Sequence, residues 1–185
     1  MTQLVHEEGI VHYLTFSCYN KLWLFKGEPF YKLFIESLKT ARSRHSFELW
    51  AYVIMPNHVH LLLFPQADTN LSTLLASIKR PFAFKALRLL EEKFPDVYAQ
   101  CHVQQGSRQI TRFWQTGGGY DRHVYGPKAI RNYIDYIHDN PVRSGLVALP
   151  EEWHWSSARF WMNGEKEPIE IEYAERSKNG GIADL

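Results

Sequence analysis

Two β-prone runs separated only by a tight turn constrain this chain more than any other feature. Phe47 to Met55 is rich in Trp, Tyr, Val and Ile, and His58 to Phe64 is a second apolar run closed by Pro65. Between them stands Pro56-Asn57, a turn signal, so the pair is expected to form an antiparallel hairpin. Val11 to Tyr19 reads as an earlier strand. A helix is expected from Pro29 to about Arg44, where Phe30, Leu33, Phe34, Leu38 and Ala41 recur at helical steps. Leu71 to Phe94 is the longest helical pattern, with Asn70 or Ser72 as cap and a kink or break expected at Pro81. Residues 96–111 have no convincing period and read as a loop or ragged strand. Phe113 to Val124 holds a flexible Gly117-Gly118-Gly119 tip between strand-like flanks. Pro127 opens a last long helix, expected to stop near Asn140-Pro141. The order predicts an α+β fold, an antiparallel sheet with helices on one face. A single domain is expected over residues 1–163, followed by a polar tail over 164–185 that is loosest from Lys178 to Leu185.

At 185 residues the chain suits one real core. No run is long and apolar enough to span a membrane, and the start of the chain lacks the character of a secretory signal. Cys18 and Cys101 have neither knuckle nor framework spacing, which points to a reduced, cytoplasmic protein. Net charge is +1, so a nucleic-acid partner would have to be held by locally clustered cations. Six tryptophans could be core or platforms for unpaired bases, and composition does not choose between them.

His58 and His60 share one face of their strand, because alternate residues do, and two such imidazoles can grip one divalent cation. Taken alone, a bare His-x-His is more often two ordinary polar residues. Tyr136 and Asn140 are four apart on the last helix, so they share a face about 6 Å apart along its axis. That places a phenol beside a carbonyl ligand; the plainer alternative is a packing tyrosine and a helix-capping asparagine.

Taken together, these segments resemble a known family. Pro56-Asn57-His58-Val59-His60-Leu61, Tyr136-Ile137-x-x-Asn140-Pro141-Val142 and Gly145-Leu146-Val147 are similar to the single-tyrosine HUH transposases, in their REP-associated branch. Thr15-Phe16 with Asn20, Ile78-Lys79-Arg80, Phe113-Trp114-Gln115 before Tyr120-Asp121, and Trp153-x-Trp155-Ser156-Ser157 match in the same order, from about Tyr13 to Trp161. The resemblance implies a ferredoxin-like, RRM-like sheet of the HUH endonuclease type. It implies Tyr136 as nucleophile and His58, His60 and Asn140 as ligands of Mg²⁺ or Mn²⁺, with Tyr133 the poorer alternative by spacing. Asn140 is shorter than the Gln or Glu found elsewhere in the family, so its helix must approach the ion more closely.

The implied activity is cleavage and transfer of single-stranded or hairpin DNA through a 5′-phosphotyrosine, with the chain expected to work as a monomer and a homodimer as the alternative. Lys79, Arg80, Lys85, Arg122 and Arg131 are the expected nucleic-acid contacts, although an isolated surface cation is usually only solvated. His123, His138 and His154 read as ordinary surface or half-buried histidines. The rivals are a catalytically silent nucleic-acid module, against which the absence of the aromatic Lys/Arg-Gly-Phe/Tyr strand motif counts, and a metal phosphoesterase using water.

Overall fold

A computed structural model of the protein describes residues 10–117, 119–166 and 168–173. Four antiparallel strands form the main sheet in the order β2-β3-β1-β6: β1 (Val11–Ser17), β2 (Phe47–Ile54), β3 (His58–Pro65) and β6 (Tyr120–Val124). The expected hairpin is β2–β3, and Ile54 pairs with Val59 beside its turn. The helices are α1 (Glu28–Arg42), α2 (Leu71–Lys93), α3 (Pro95–Ala99), α4 (Pro127–Arg143) and α5 (Ala158–Asn163). None of them is long and apolar enough to cross a membrane.

Helices cover both faces of the sheet, where one face was expected. Val59, Leu61 and Leu63 pack with Phe30, Phe34 and Leu38 of α1 and Leu74, Ile78 and Phe82 of α2. Leu62 and Phe64 turn the other way and meet Ile130, Ile134 and Ile137 of α4. The reason is legible in β3 itself: after His58 every residue is buried, as in strands that have no solvent face. Burying the three α4 isoleucines contributes roughly 2 kcal/mol apiece and fixes that helix on the sheet.

Three local expectations change. Helix α2, capped by the Asn70 side chain accepting from the Thr73 amide, runs on through Pro81. The proline ring is exposed, and the buried stripe of Ile78, Phe82 and Ala86 holds both halves against the core, offsetting a local cost of about 3 kcal/mol. Residues 96–111 are ordered into most of α3 and a separate hairpin, β4 (His102–Gln105) with β5 (Arg108–Thr111). Helix α4 passes Pro141 and ends at Arg143, where Gly145 at φ +69° carries the Leu146 amide back to the Pro141 carbonyl.

The segment after α4 seals the outer edge of β2. The Ile54 amide donates to the Trp155 carbonyl, the indoles of Trp153 and Trp161 donate to the Ile54 and Trp50 carbonyls, and the Tyr52 amide donates to Ser157 Oγ. An edge that would otherwise present unpaired backbone is thus covered by the chain itself. Of the tail 164–185, residues 168–173 lie here too: Ile169 and Ile171 are buried, and the Glu172 amide donates to the Leu49 carbonyl. That contact is at the end of the sheet away from His58. Lys178 to Leu185 lie outside the described residues.

Candidate active site

The β2–β3 turn delivers His58 and His60 to the sheet face that α4 covers. Their ring centroids are 4.7 Å apart and nearly perpendicular. His58 Nδ1 lies 2.6 Å from Asn57 Oδ1, so this nitrogen carries the proton and donates, and Nε2 is left as a lone-pair donor. His60 is directly paired with Thr15 across the β1–β3 ladder. Its Nδ1 sits 2.6 Å from Thr15 Oγ1 and 2.7 Å from the Tyr13 hydroxyl. Either hydroxyl can accept a hydrogen bond from Nδ1, an arrangement that leaves Nε2 as the lone-pair donor.

His60 is 4% exposed, and its Nε2 is buried without a hydrogen-bond partner. Burial pushes the His60 imidazole down to about 3, with the neighbouring His58 adding to the shift and Asn140 opposing it. His58 is shifted down for the same main reason, burial, again opposed by Asn140. Both rings are therefore neutral at neutral pH, the state in which imidazole ligates a metal.

Helix α4 supplies the other half. The Tyr136 ring stands 5.8 Å from that of His60 and 6.2 Å from that of Tyr13, and it is 40% exposed. The Arg143 guanidinium lies 5.2 Å from the Tyr136 ring centroid. Asn140 donates from Nδ2 to the Tyr136 carbonyl at 2.7 Å, which leaves its amide oxygen for the two imidazoles it influences. Two neutral imidazoles and one amide oxygen, with a buried Nε2 that nothing else satisfies, fit a divalent cation.

Tyr133 is half-buried and tilted against Tyr13 at 4.5 Å, and Tyr120 lies 6.3 Å from Tyr13. Burial pushes the Tyr13 phenol up to about 12, so it stays protonated as a partner of His60. Of the expected basic residues, Arg122 is exposed on this face, beside Tyr120 and Tyr133, which raise its pKa. Lys79 is on α2, with Nζ 4.9 Å from the Phe16 ring centroid and 5.8 Å from that of Trp114. With Arg80, Trp114 and Gly117 it lines a cavity of about 370 Å³. Lys85 is exposed further along α2, and Arg131 lines a different cavity with His138 and Trp161. Sequence reasoning gave Asn57 only as a turn and motif residue and Thr15 only as a motif residue, and it assigned Tyr13 no role. The period-two spacing of Tyr13 and Thr15 mirrors that of His58 and His60, but only the strand register brings the pairs together.

A family model described as transposase IS200 like matches residues 7–140, well over half of the chain. The chain belongs to the IS200-like transposase family. Among the relatives of this chain is a putative REP-associated tyrosine transposase of Haemophilus influenzae, 27% identical over 67% of the chain and 66% of the relative. Another is a REP-associated tyrosine transposase of Escherichia coli, 27% identical over 65% of the chain and 59% of the relative. The matched part thus spans less than two thirds of the length of either curated relative. A solved REP-associated tyrosine transposase bound to a REP hairpin shares the fold, with a TM-score of 0.67 and 19% identity over 100% of this chain and 98% of that one.

Proposed function

We propose that this transposase is a metal-dependent single-strand endonuclease and strand transferase that recognises hairpin-bearing, REP-like DNA and cuts it with Tyr136. The observation that carries the reading is the exposed Tyr136 phenol beside His60, on the same helix face as Asn140, where His60 Nε2 is buried and unsatisfied. His58, His60 and Asn140 would hold Mg²⁺ or Mn²⁺. When bound, the ion draws charge from the scissile phosphate and helps align it.

The chain does the rest. Asn57 holds the His58 imidazole in its ligating tautomer, Thr15 and Tyr13 hold the His60 ring in place, and the isoleucines of α4 hold the phenol. The Tyr136 oxygen loses its proton as it forms a bond to phosphorus. The bond from phosphorus to the 3′ oxygen breaks, and that oxygen takes up a proton to leave a free 3′-hydroxyl. The product is a 5′-phosphotyrosine whose ester energy is kept, so a 3′-hydroxyl can reverse the step and join DNA. Arg143 and Arg122, at the mouth of the site, favour the approach of the phosphate. Lys79 and Arg80, beside Trp114, would take single-stranded DNA, with an unpaired base on the indole. Lys85 and Arg131 would add weaker backbone contacts.

The test is to incubate Tyr136→Phe, Tyr133→Phe and Tyr120→Phe proteins with Mn²⁺ and hairpin DNA labelled at its 3′ end. A shifted protein band is expected for the latter two and not for Tyr136→Phe, which should still bind DNA. An adduct that persists in Tyr136→Phe places the nucleophile elsewhere. Cleavage with no adduct in any protein, wild type included, would mean attack by water, and binding with no cleavage a silent module.

A further inference from the structure

On the opposite face of the sheet, a second group of ligating side chains converges. His12 on β1 is directly paired with His123 on β6, and Asp121 stands two residues before His123 opposite Leu14. All three therefore project from the face that carries Leu14 and Phe16, while Tyr120 and Arg122 project toward α4. One ligand atom from each of His12, Asp121 and His123 can be chosen so that all lie within 4.8 Å of one another. His12 Nδ1 is 2.9 Å from Asp121 Oδ1, and the rings of His12 and His123 meet edge to face at 4.8 Å.

From this convergence we infer a second divalent-metal site, built from His12, Asp121 and His123, that takes a borderline transition ion of the Zn²⁺ class and is separate from the Tyr136 centre. The argument rests on placement and charge. His12 is 0% exposed and the Asp121 side chain 9% exposed, so a carboxylate has been taken largely out of water. Among the described residues its ion-pair partner is His12, and Arg122, its neighbour in sequence, points to the other face. A largely buried carboxylate recovers its desolvation cost poorly from one imidazole that a second imidazole crowds. A shared dication removes that conflict, since both imidazoles then bind neutral and the carboxylate offsets part of the ion's charge. Two nitrogens, one carboxylate oxygen and a fourth position for water make a usual zinc set. The two strands already bring the ligands together, and β6 is a five-residue edge strand whose ladder runs to β1. The ion would fasten that edge and, through it, the placement of Arg122 on the catalytic face.

The full-length chain is stripped with chelator and dialysed against Zn²⁺, and bound metal is counted. The variants are His58→Ala/His60→Ala, Asp121→Asn/His123→Ala, and all four substitutions together. Binding retained at one equivalent in His58→Ala/His60→Ala, and lost when Asp121→Asn/His123→Ala is added, is the expected result. Loss of all zinc in His58→Ala/His60→Ala would overturn the second site and leave the Tyr136 reading standing. Zinc retained by the fourfold variant would also overturn it. Co²⁺ guards against variants that fail to fold: in His58→Ala/His60→Ala it should give a visible ligand-field spectrum. His123→Cys added to that background should keep the spectrum and gain a thiolate charge-transfer band. A featureless spectrum in both proteins counts against the assignment.

Discussion

Tyr13 touches the candidate metal centre through one hydroxyl, at 2.7 Å from His60 Nδ1, and its ring packs on Tyr133. Tyr13→Phe should keep the packing and loosen the imidazole, weakening metal affinity by about 10-fold or more. The expected signature is a Mn²⁺ requirement for adduct formation that moves to higher concentration while the rate at saturating Mn²⁺ recovers. An unchanged Mn²⁺ titration would show that Thr15 alone orients the ring. Acid should act at the same residues. Burial holds His60 at about 3 and His138 at about 4, so both are neutral in the fold, whereas an unfolded histidine takes a proton near its ordinary value of 6.5. As pH falls, the unfolded chain binds protons first. The stabilisation is complete above pH 6.5 and is lost as pH falls toward those folded values. For metal-free protein, each histidine should cost about 2 kcal/mol between pH 7 and pH 5. Urea unfolding at the two pH values measures it, and equal stability would contradict the neutral, buried state of these rings. That His58 and His60 share one strand face was legible in the sequence, because a period of two needs only a strand. The partners Tyr13 and Asn57 were not, because hydroxyl and amide groups acquire such roles only when register and turn geometry bring them into reach.

Helix α4 is held on the sheet by more than its isoleucines. His138, read from sequence as an ordinary histidine, is buried, with Nε2 2.8 Å from Ser157 Oγ. The same oxygen accepts the Tyr52 amide at 2.9 Å, which links α4 to β2 through the segment that follows the helix. Ser157→Ala leaves two buried polar groups without that partner and should destabilise by about 1–3 kcal/mol, read by urea unfolding. A neutral effect would mean that the packing of Ile130, Ile134 and Ile137 alone fixes the helix. The elements themselves were largely visible beforehand: the β2–β3 hairpin, the Asn70 cap and the apolar stripe of α4. What local signals missed is set by tertiary context. Pro81 read as a kink or break and Asn140-Pro141 as a stop, yet each proline sits in a helix whose buried side outweighs one lost hydrogen bond. The β4–β5 hairpin carries glutamines and arginines with little apolar alternation, so it left no period to find.

At the scale of the molecule, one chain brings every part of the proposed catalytic centre together. Asn140 and Tyr136 meet His58 and His60 without a second copy, and the Trp153–Ser157 segment covers the outer edge of β2. We therefore expect light scattering to find a working monomer, and mixing His58→Ala with Tyr136→Phe to restore no cleavage. Restored cleavage on mixing would show helices exchanged between chains. The proposed nucleophile, Tyr136, and the proposed amide ligand, Asn140, also ride a single turn of one helix, linked by the hydrogen bond from Asn140 to the Tyr136 carbonyl. If a strand were attached to Tyr136 as proposed, any displacement carrying it off would also withdraw Asn140, one of the three proposed ligands of the ion. On that reading, transport of the captured end and shutdown of the chemistry would be the same movement, and the tethered end would travel with the machinery that could reverse its capture switched off.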